Sequence, residues 1–230
     1  MIDSTQHKSQ LRDYFDGVGF ERWSAIYGQA NLSRIRQTVR EGHTTMLAQV
    51  ETWLNAYALP KDAHILDAGC GIGLLSVALA QRGFRVTSVD IAPHMVDATK
   101  ARAAEAGVLD QMEFLVGDLE SVSGAFDAIV CLDVLVHYPQ QLFEHMATGL
   151  ANRTRGPLLI TYAPYNRLLA TMHWMARFFP KGQRRTNIQM IPDTFVCKTL
   201  EQAGMHIQHQ TRVSRGFYHV ALLDAVKADT

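Results

Sequence analysis

Cysteine is scarce in this chain, and its three copies, Cys70, Cys131 and Cys197, stand far apart. No CxxC pair occurs, so neither a disulfide framework nor a thiolate zinc site can be read from the spacing. A reducing cytoplasm and no protein-bound metal are expected. An excess of charge is lacking too: 22 Lys and Arg balance 22 Asp and Glu, for a formal net charge of +0. That balance removes the general electrostatic argument for nucleic acid, whose non-specific affinity comes from a basic surface. No run of about 18 apolar residues is present, so no segment is expected to span a bilayer as a helix. Met1 to Asp16 is polar and charged, without the apolar centre of a signal peptide. No transit peptide is legible either, which points to a bacterial rather than a plastid protein.

Hydrophobic residues make up 47% of 230, enough for one large domain and too little chain for two. Residues 1–60 read as a helical arm: Leu32, Ile35, Val39, Met46, Leu47, Val50 and Leu54 recur at three- and four-residue spacings. Residues 61–230 then alternate between strand and helix signals. Strands are expected at 64–68, 85–89, 112–116, 126–132 and 158–162, with helices at 74–81, from Pro93 to Gly107 and from Pro139. The alternation predicts right-handed crossovers and a parallel α/β sheet, doubly wound, with both faces covered. Two final strands, 205–213 and 217–226, joined by Ser214-Arg215-Gly216, make a closing hairpin. An insertion at about 164–195, with a helix over 167–180, follows the fifth strand.

The most informative segment is Ile65-Leu66-Asp67-Ala68-Gly69-Cys70-Gly71-Ile72-Gly73. A strand runs into three glycines at alternate positions, and a helix begins directly after. Glycine lets the backbone turn sharply and approach a ligand where a Cβ would collide. Asp90, at the end of the next strand, suits a carboxylate that takes both hydroxyls of a ribose; as a bland alternative it caps the helix opened by Pro93. Asp118 closes the third strand, where it faces an adenine amine or simply serves a turn. The spacing is Gly-x-Gly-x-Gly rather than the dinucleotide pattern Gly-x-Gly-x-x-Gly, and Asp67 would repel a pyrophosphate. A carboxylate there can face the cationic methionine part of S-adenosylmethionine. Cys70, Ile91, Leu119 and Leu132 complete the expected cofactor set.

The set resembles the class I S-adenosylmethionine-dependent methyltransferases, whose seven-stranded, mostly parallel sheet has a reversed final strand. Further segments carry a narrower resemblance: Tyr14-Phe15-Asp16-Gly17-Val18-Gly19-Phe20-Glu21-Arg22-Trp23 with Ile26-Tyr27-Gly28, Arg40-Glu41-Gly42-His43, Asp118-Leu119-Glu120-Ser121, Cys131-Leu132-Asp133-Val134-Leu135-Val136-His137-Tyr138-Pro139, Ala163-Pro164 and Phe217-Tyr218. Over residues 11–226 the chain is similar to the magnesium protoporphyrin IX O-methyltransferases of bacteriochlorophyll and chlorophyll synthesis. Ile72 departs from that pattern, where threonine is common, without altering the glycine spacing.

The resemblance implies S-adenosylmethionine as methyl donor, S-adenosylhomocysteine as product, and transfer to a propionate carboxylate of magnesium protoporphyrin IX, giving its monomethyl ester. His137 is the leading catalytic candidate, as a hydrogen-bond donor to the propionate or an axial ligand of the substrate's magnesium. The bland reading is a structural loop histidine. Tyr27 either folds over the site to hold the carboxylate or packs between helix and core. Tyr138, Tyr162, Tyr165, Met172 and Met175 are candidate walls of the porphyrin pocket, the methionines lying on an apolar helical stripe equally typical of a core. Lys181, Arg184 and Arg185 follow that stripe and suggest a second propionate or an anionic membrane surface. The porphyrin-binding subunit of magnesium chelatase is a further expected partner. The rival readings are a class I methyltransferase for another hydrophobic acid or phenol, a non-catalytic tetrapyrrole carrier, a nicotinamide dehydrogenase, and a nucleic-acid methyltransferase, the last two disfavoured by glycine spacing and by charge.

Overall fold

The protein is described from a computed structural model, in which residues 4–28, 32–165 and 188–228 are placed. Five strands run parallel: β1 (His64–Ala68), β2 (Arg85–Asp90), β3 (Met112–Val116), β4 (Ala128–Cys131) and β5 (Leu158–Pro164). A short β6 (Met190–Ile191) pairs in parallel with the end of β5. The hairpin β7 (Met205–Arg215) and β8 (Tyr218–Lys227) closes the sheet, with β8 antiparallel to both β5 and β7. Strand order is β3-β2-β1-β4-β5-β8-β7. This is the doubly wound sheet with a reversed last strand that the sequence predicts. Phe126, expected inside the fourth strand, forms only an isolated bridge to Thr154 ahead of β4.

The central strands are apolar on both sides because both faces are covered. Successive residues point to opposite faces and feed two cores. Leu66, Ile129, Ile160 and Leu223 pack with Phe143, Met146 and Leu150 of α6 (Gln140–Arg153) and with Val196 and Leu200 of α7 (Asp193–Gln202). Ile65, Val130, Leu159 and Leu222 pack on the other face with Leu75 and Leu79 of α4 (Leu74–Gln81) and Met46, Val50 and Leu54 of α3 (Arg34–Ala56). The stretch before residue 60 is therefore not a separate core: α3 is one of the layers that cover the sheet. Ile35, read as part of its apolar stripe, is 49% exposed at the first turn, while Trp53 extends the buried face instead.

Ahead of α3, α1 (Ser4–Tyr14) and α2 (Phe20–Tyr27) are joined by a π-helical turn, Phe15–Gly19. They lie over the carboxyl ends of the strands. Asp16 fastens that turn, accepting the His94 backbone N–H at 2.8 Å at the start of α5 (Pro93–Glu105). Lys8 fastens α1, 2.6 Å from Asp118 and also paired with Glu120. The chain crossover reverses between β1 and β4, which opens a crevice beyond their carboxyl ends, and the two arm helices roof it. Among the described residues, no helix is long and apolar enough to cross a membrane.

Candidate active site

The crevice is a cavity of about 260 Å³ walled by the β1–α4 loop, the ends of β2 and β3, the segment after β4, and the arm. Its floor is the glycine loop, and each glycine there answers a different demand. Gly69 has φ +91, and a Cβ would stand 2.0 Å from Val134 Cγ2, so this glycine lets the β4 loop pack against the strand end. Gly73 has φ +79 and would meet Thr99 at 2.8 Å, which permits close approach of α5. Gly71 has φ +54, and a Cβ there would meet no protein atom within 4 Å. Its bare face is therefore kept for something other than protein, as a ligand-binding loop requires.

Four carboxylates reach this cavity: Asp67, Asp90, Asp118 and Asp133. Burial pushes the Asp67 and Asp90 carboxyls up to about 6. Asp67 takes the Ser76 hydroxyl at 2.5 Å. Asp90 takes the backbone N–H of Gly71 at 3.0 Å and of Ala92 at 2.9 Å. The capping and ligand roles considered for Asp90 thus coexist: two backbone donors fix its carboxylate, and it still borders the cavity. Asp118 caps the following turn through the Glu120 N–H at 3.1 Å while pairing with Lys8.

On the opposite wall stands His137, on a short 3₁₀ turn, Leu135–His137, after β4. Burial lowers its pKa to about 4, so the ring is neutral near pH 7. Its Nδ1 is buried and has no hydrogen-bond partner among the described residues. An unsatisfied buried imidazole nitrogen costs roughly 1–3 kcal/mol. His137 itself lines the cavity, with this nitrogen turned into the protein rather than open to it. The Phe15 ring meets it edge-on at 5.1 Å, and His7 Nε2 lies 3.0 Å from its carbonyl oxygen.

A second polar cluster joins the arm to the sheet. Asp133 holds the left-handed conformation, φ +55, and accepts the Tyr218 hydroxyl at 2.8 Å; its N–H donates to Thr161 Oγ1 at 2.6 Å. Burial raises its carboxyl pKa. Beside it, Tyr27 Oη lies 2.5 Å from His43 Nδ1. Burial lowers the His43 pKa and raises Tyr27 to about 12, so the phenol is the donor to a neutral imidazole. Gly42 makes room for this cluster: a Cβ there would lie 2.5 Å from the Tyr218 ring.

Of the residues singled out by sequence, the cavity brings together Asp67, Gly69, Cys70, Gly71, Asp90, Ile91, Asp118, Leu119, Leu132, His137 and Tyr138. Others lie elsewhere. Gly73 stands behind the loop, against Thr99. Tyr27 is not itself in the cavity wall; it stacks on Trp23 at 6.4 Å and reaches the cavity through His43, which is. Tyr162 is corrected from pocket wall to core: its ring is fully buried, its hydroxyl donates to Asp193 at 2.8 Å, and it also takes the Gln210 amide. Tyr165 is 53% exposed and outside the cavity wall. Met172, Met175, Lys181, Arg184 and Arg185 lie outside the described residues. Sequence reasoning missed Asp133, Tyr218 and Lys8 as a set, since their contacts join residues 85 and 110 positions apart and only folding shows them.

Residues 131–227 match the family described as "Magnesium-protoporphyrin IX methyltransferase C-terminus", and residues 65–154 match a general "Methyltransferase domain" family. The magnesium-protoporphyrin O-methyltransferase of Synechocystis is 32% identical over 222 residues, covering 96% of both chains. The chain belongs to the magnesium protoporphyrin IX methyltransferase family. The Rhodobacter capsulatus member is 34% identical over 94% of this chain and 95% of its own. The crystal structure of the Synechocystis family member with bound SAH superposes with a TM-score of 0.87, at 32% identity over 96% of this chain and all of that one. In this chain the antiparallel β8 lies between β5 and β7, and the Gly69–Gly73 loop stands at the switch point of the sheet.

Proposed function

We propose that this protein transfers the methyl group of S-adenosylmethionine to a propionate carboxylate of magnesium protoporphyrin IX, giving the monomethyl ester and S-adenosylhomocysteine. Relatives covering nearly the whole chain carry that activity in their names. The observation that carries the reading is the pairing of an open Gly71 face and a fixed Asp90 carboxylate with the neutral His137 in the wall of the same cavity.

The residues present fit an adenosyl sulfonium. Asp90 is held by two backbone donors with its carboxylate at the cavity, the arrangement for taking paired ribose hydroxyls. Leu119 and Leu132 offer apolar contact to a base beside Asp118, and Asp67 supplies negative charge toward a cation. When bound, the cofactor supplies an electrophilic methyl group on a positively charged sulfur.

A propionate is ionised near neutral pH, so no strong general base is needed. What this chain must supply is alignment of the carboxylate and exclusion of water. His137, neutral and lining the cavity, donates a ring N–H that steers the carboxylate oxygen. Phe15, Tyr14 and Trp23 of the arm, with Val136 and Tyr138, provide the dry apolar wall for a flat macrocycle. Tyr27 acts behind them, holding His43 in the wall through their hydrogen bond. The porphyrin is poorly soluble, so delivery by the porphyrin-binding chelatase subunit and a peripheral contact with the photosynthetic membrane belong to the same proposal.

The test offers the purified protein S-adenosylmethionine with magnesium protoporphyrin IX and, separately, with a polyprenyl catechol. The second acceptor is chosen because a Xanthomonas axonopodis ubiquinone biosynthesis O-methyltransferase is 28% identical over 89% of this chain. Formation of a porphyrin monomethyl ester alone is expected. Methylation of the catechol alone would replace the porphyrin reading.

A further inference from the structure

The charges around the cavity are unevenly satisfied. Every carboxylate in its wall has a partner: Asp67 has Ser76, Asp90 has the Gly71 and Ala92 amides, Asp118 has Lys8, and Asp133 has Tyr218. Among the described residues, one lysine or arginine lines the same wall, Arg22 of α2. Its side chain is exposed and makes no ion pair or hydrogen bond with any described residue. Lys181, Arg184 and Arg185, the sequence's other candidates for a second propionate, lie outside the described residues. Arg22 lies between two anchored neighbours: the Phe20 ring faces His94 at 5.7 Å, and the Trp23 ring meets His43 at 5.1 Å. The backbone that presents the guanidinium is therefore held, although the guanidinium is not engaged.

An acceptor bound in this cavity meets four aspartates, so a dianion gains nothing from the field of the walls. Magnesium protoporphyrin IX carries two propionates on adjacent pyrrole rings, and only one can sit at the reacting methyl. The other needs a cation or open water. A guanidinium takes a carboxylate through two parallel N–H donors, a geometry that lysine does not reproduce. We propose that Arg22 is a specificity-determining residue that binds the unreacted propionate of the substrate, and so favours dicarboxylate porphyrins and retains the monomethyl ester product by the same contact. This assignment rests on the porphyrin reading given above.

Fluorescence titration of SAH-loaded protein with three magnesium porphyrins tests it: the diacid, the monomethyl ester and the dimethyl ester of magnesium protoporphyrin IX. Arg22→Ala is expected to weaken the diacid and the monoester alike, by roughly 10- to 100-fold, the value of a charge-assisted contact. The dimethyl ester should bind Arg22→Ala and wild type within about twofold, and Arg22→Lys should fall between the two for the acids. Unchanged diacid binding would overturn the assignment. So would equal losses for all three porphyrins, which mark a structural role, or a monoester that is unaffected, which would move Arg22 to the reacting carboxylate. Calorimetry with SAH reports whether the variant keeps its fold. Wild type that binds SAH but none of the three porphyrins would bring down the porphyrin reading itself, a result distinct from every Arg22 outcome.

Discussion

At the scale of single residues, the three glycines of the β1–α4 loop separate folding from binding. Gly71 faces open space but holds φ +54, so Gly71→Val should cost about 1–2 kcal/mol of backbone strain without a clash, and should lose SAH binding in calorimetry by about 100-fold or more, since the branched side chain enters ligand volume. Gly69→Ala collides with Val134 and forces a side chain into positive φ. That substitution should destabilise the fold by at least about 2 kcal/mol, seen as a lower midpoint in urea. Asp90 adds a pH signature. Its folded pKa of about 6 lies above the value near 4 of an unfolded aspartate, so its contribution to stability is full below about pH 4 and is lost as pH rises through 6. Asp90→Asn removes this titration while setting an amide donor against one backbone N–H, so it should flatten the pH dependence of melting of the ligand-free protein between pH 4 and 7 without raising its stability overall. The same change should weaken S-adenosylmethionine binding by roughly 10- to 100-fold. An unaltered pH profile of melting would contradict the raised pKa.

At the scale of elements, the strands are legible because apolar residues fill both faces of β1, β4 and β5. The same property hid which face each side chain takes. Tyr162 was expected at the pocket because it ends a strand whose carboxyl end points there, yet its side chain faces α7 and satisfies its hydroxyl on Asp193. Short elements defined by non-local contact were illegible as well: the π-helical turn at Phe15–Gly19, and β6, which is two residues long. Gly42 stands in the middle of α3, where glycine costs a helix about 1 kcal/mol against alanine. Its reason is the Tyr218 ring that lies over it and carries a hydroxyl to Asp133. Tyr218→Phe keeps the ring and removes that bond, leaving a buried carboxylate short of a donor at a strained turn. A loss of about 1–3 kcal/mol is expected, a fall of about 2–10 °C in melting temperature for a chain of this size. Because the β4 loop also carries His137, turnover should drop with it, more in kcat than in SAH affinity.

At the scale of the whole molecule, the sheet supplies a fixed floor and the arm a roof held by a few polar contacts. Lys8 against Asp118 and Glu120 is the foremost of these at the end of β3. Lys8→Ala leaves two carboxylates facing each other, so hydrogen exchange across residues 4–27 should quicken while the sheet's protection stays constant. The sequence carried the glycine loop in a single contiguous motif, and that loop lines the cavity. The roof, in contrast, is written in residues scattered over the first 28 positions and could be recognised there only by family likeness. The central claim is that floor and roof together bring a propionate oxygen to the sulfonium methyl. Single-turnover transfer from S-adenosylmethionine labelled with 13C at the methyl, followed by carbon NMR of the porphyrin, tests it directly. One labelled ester methyl per macrocycle is expected from wild type, with the rate cut at least about 10-fold in His137→Ala while SAH affinity is kept. Label that stays on the cofactor, or that appears at a ring carbon or nitrogen, would contradict the account.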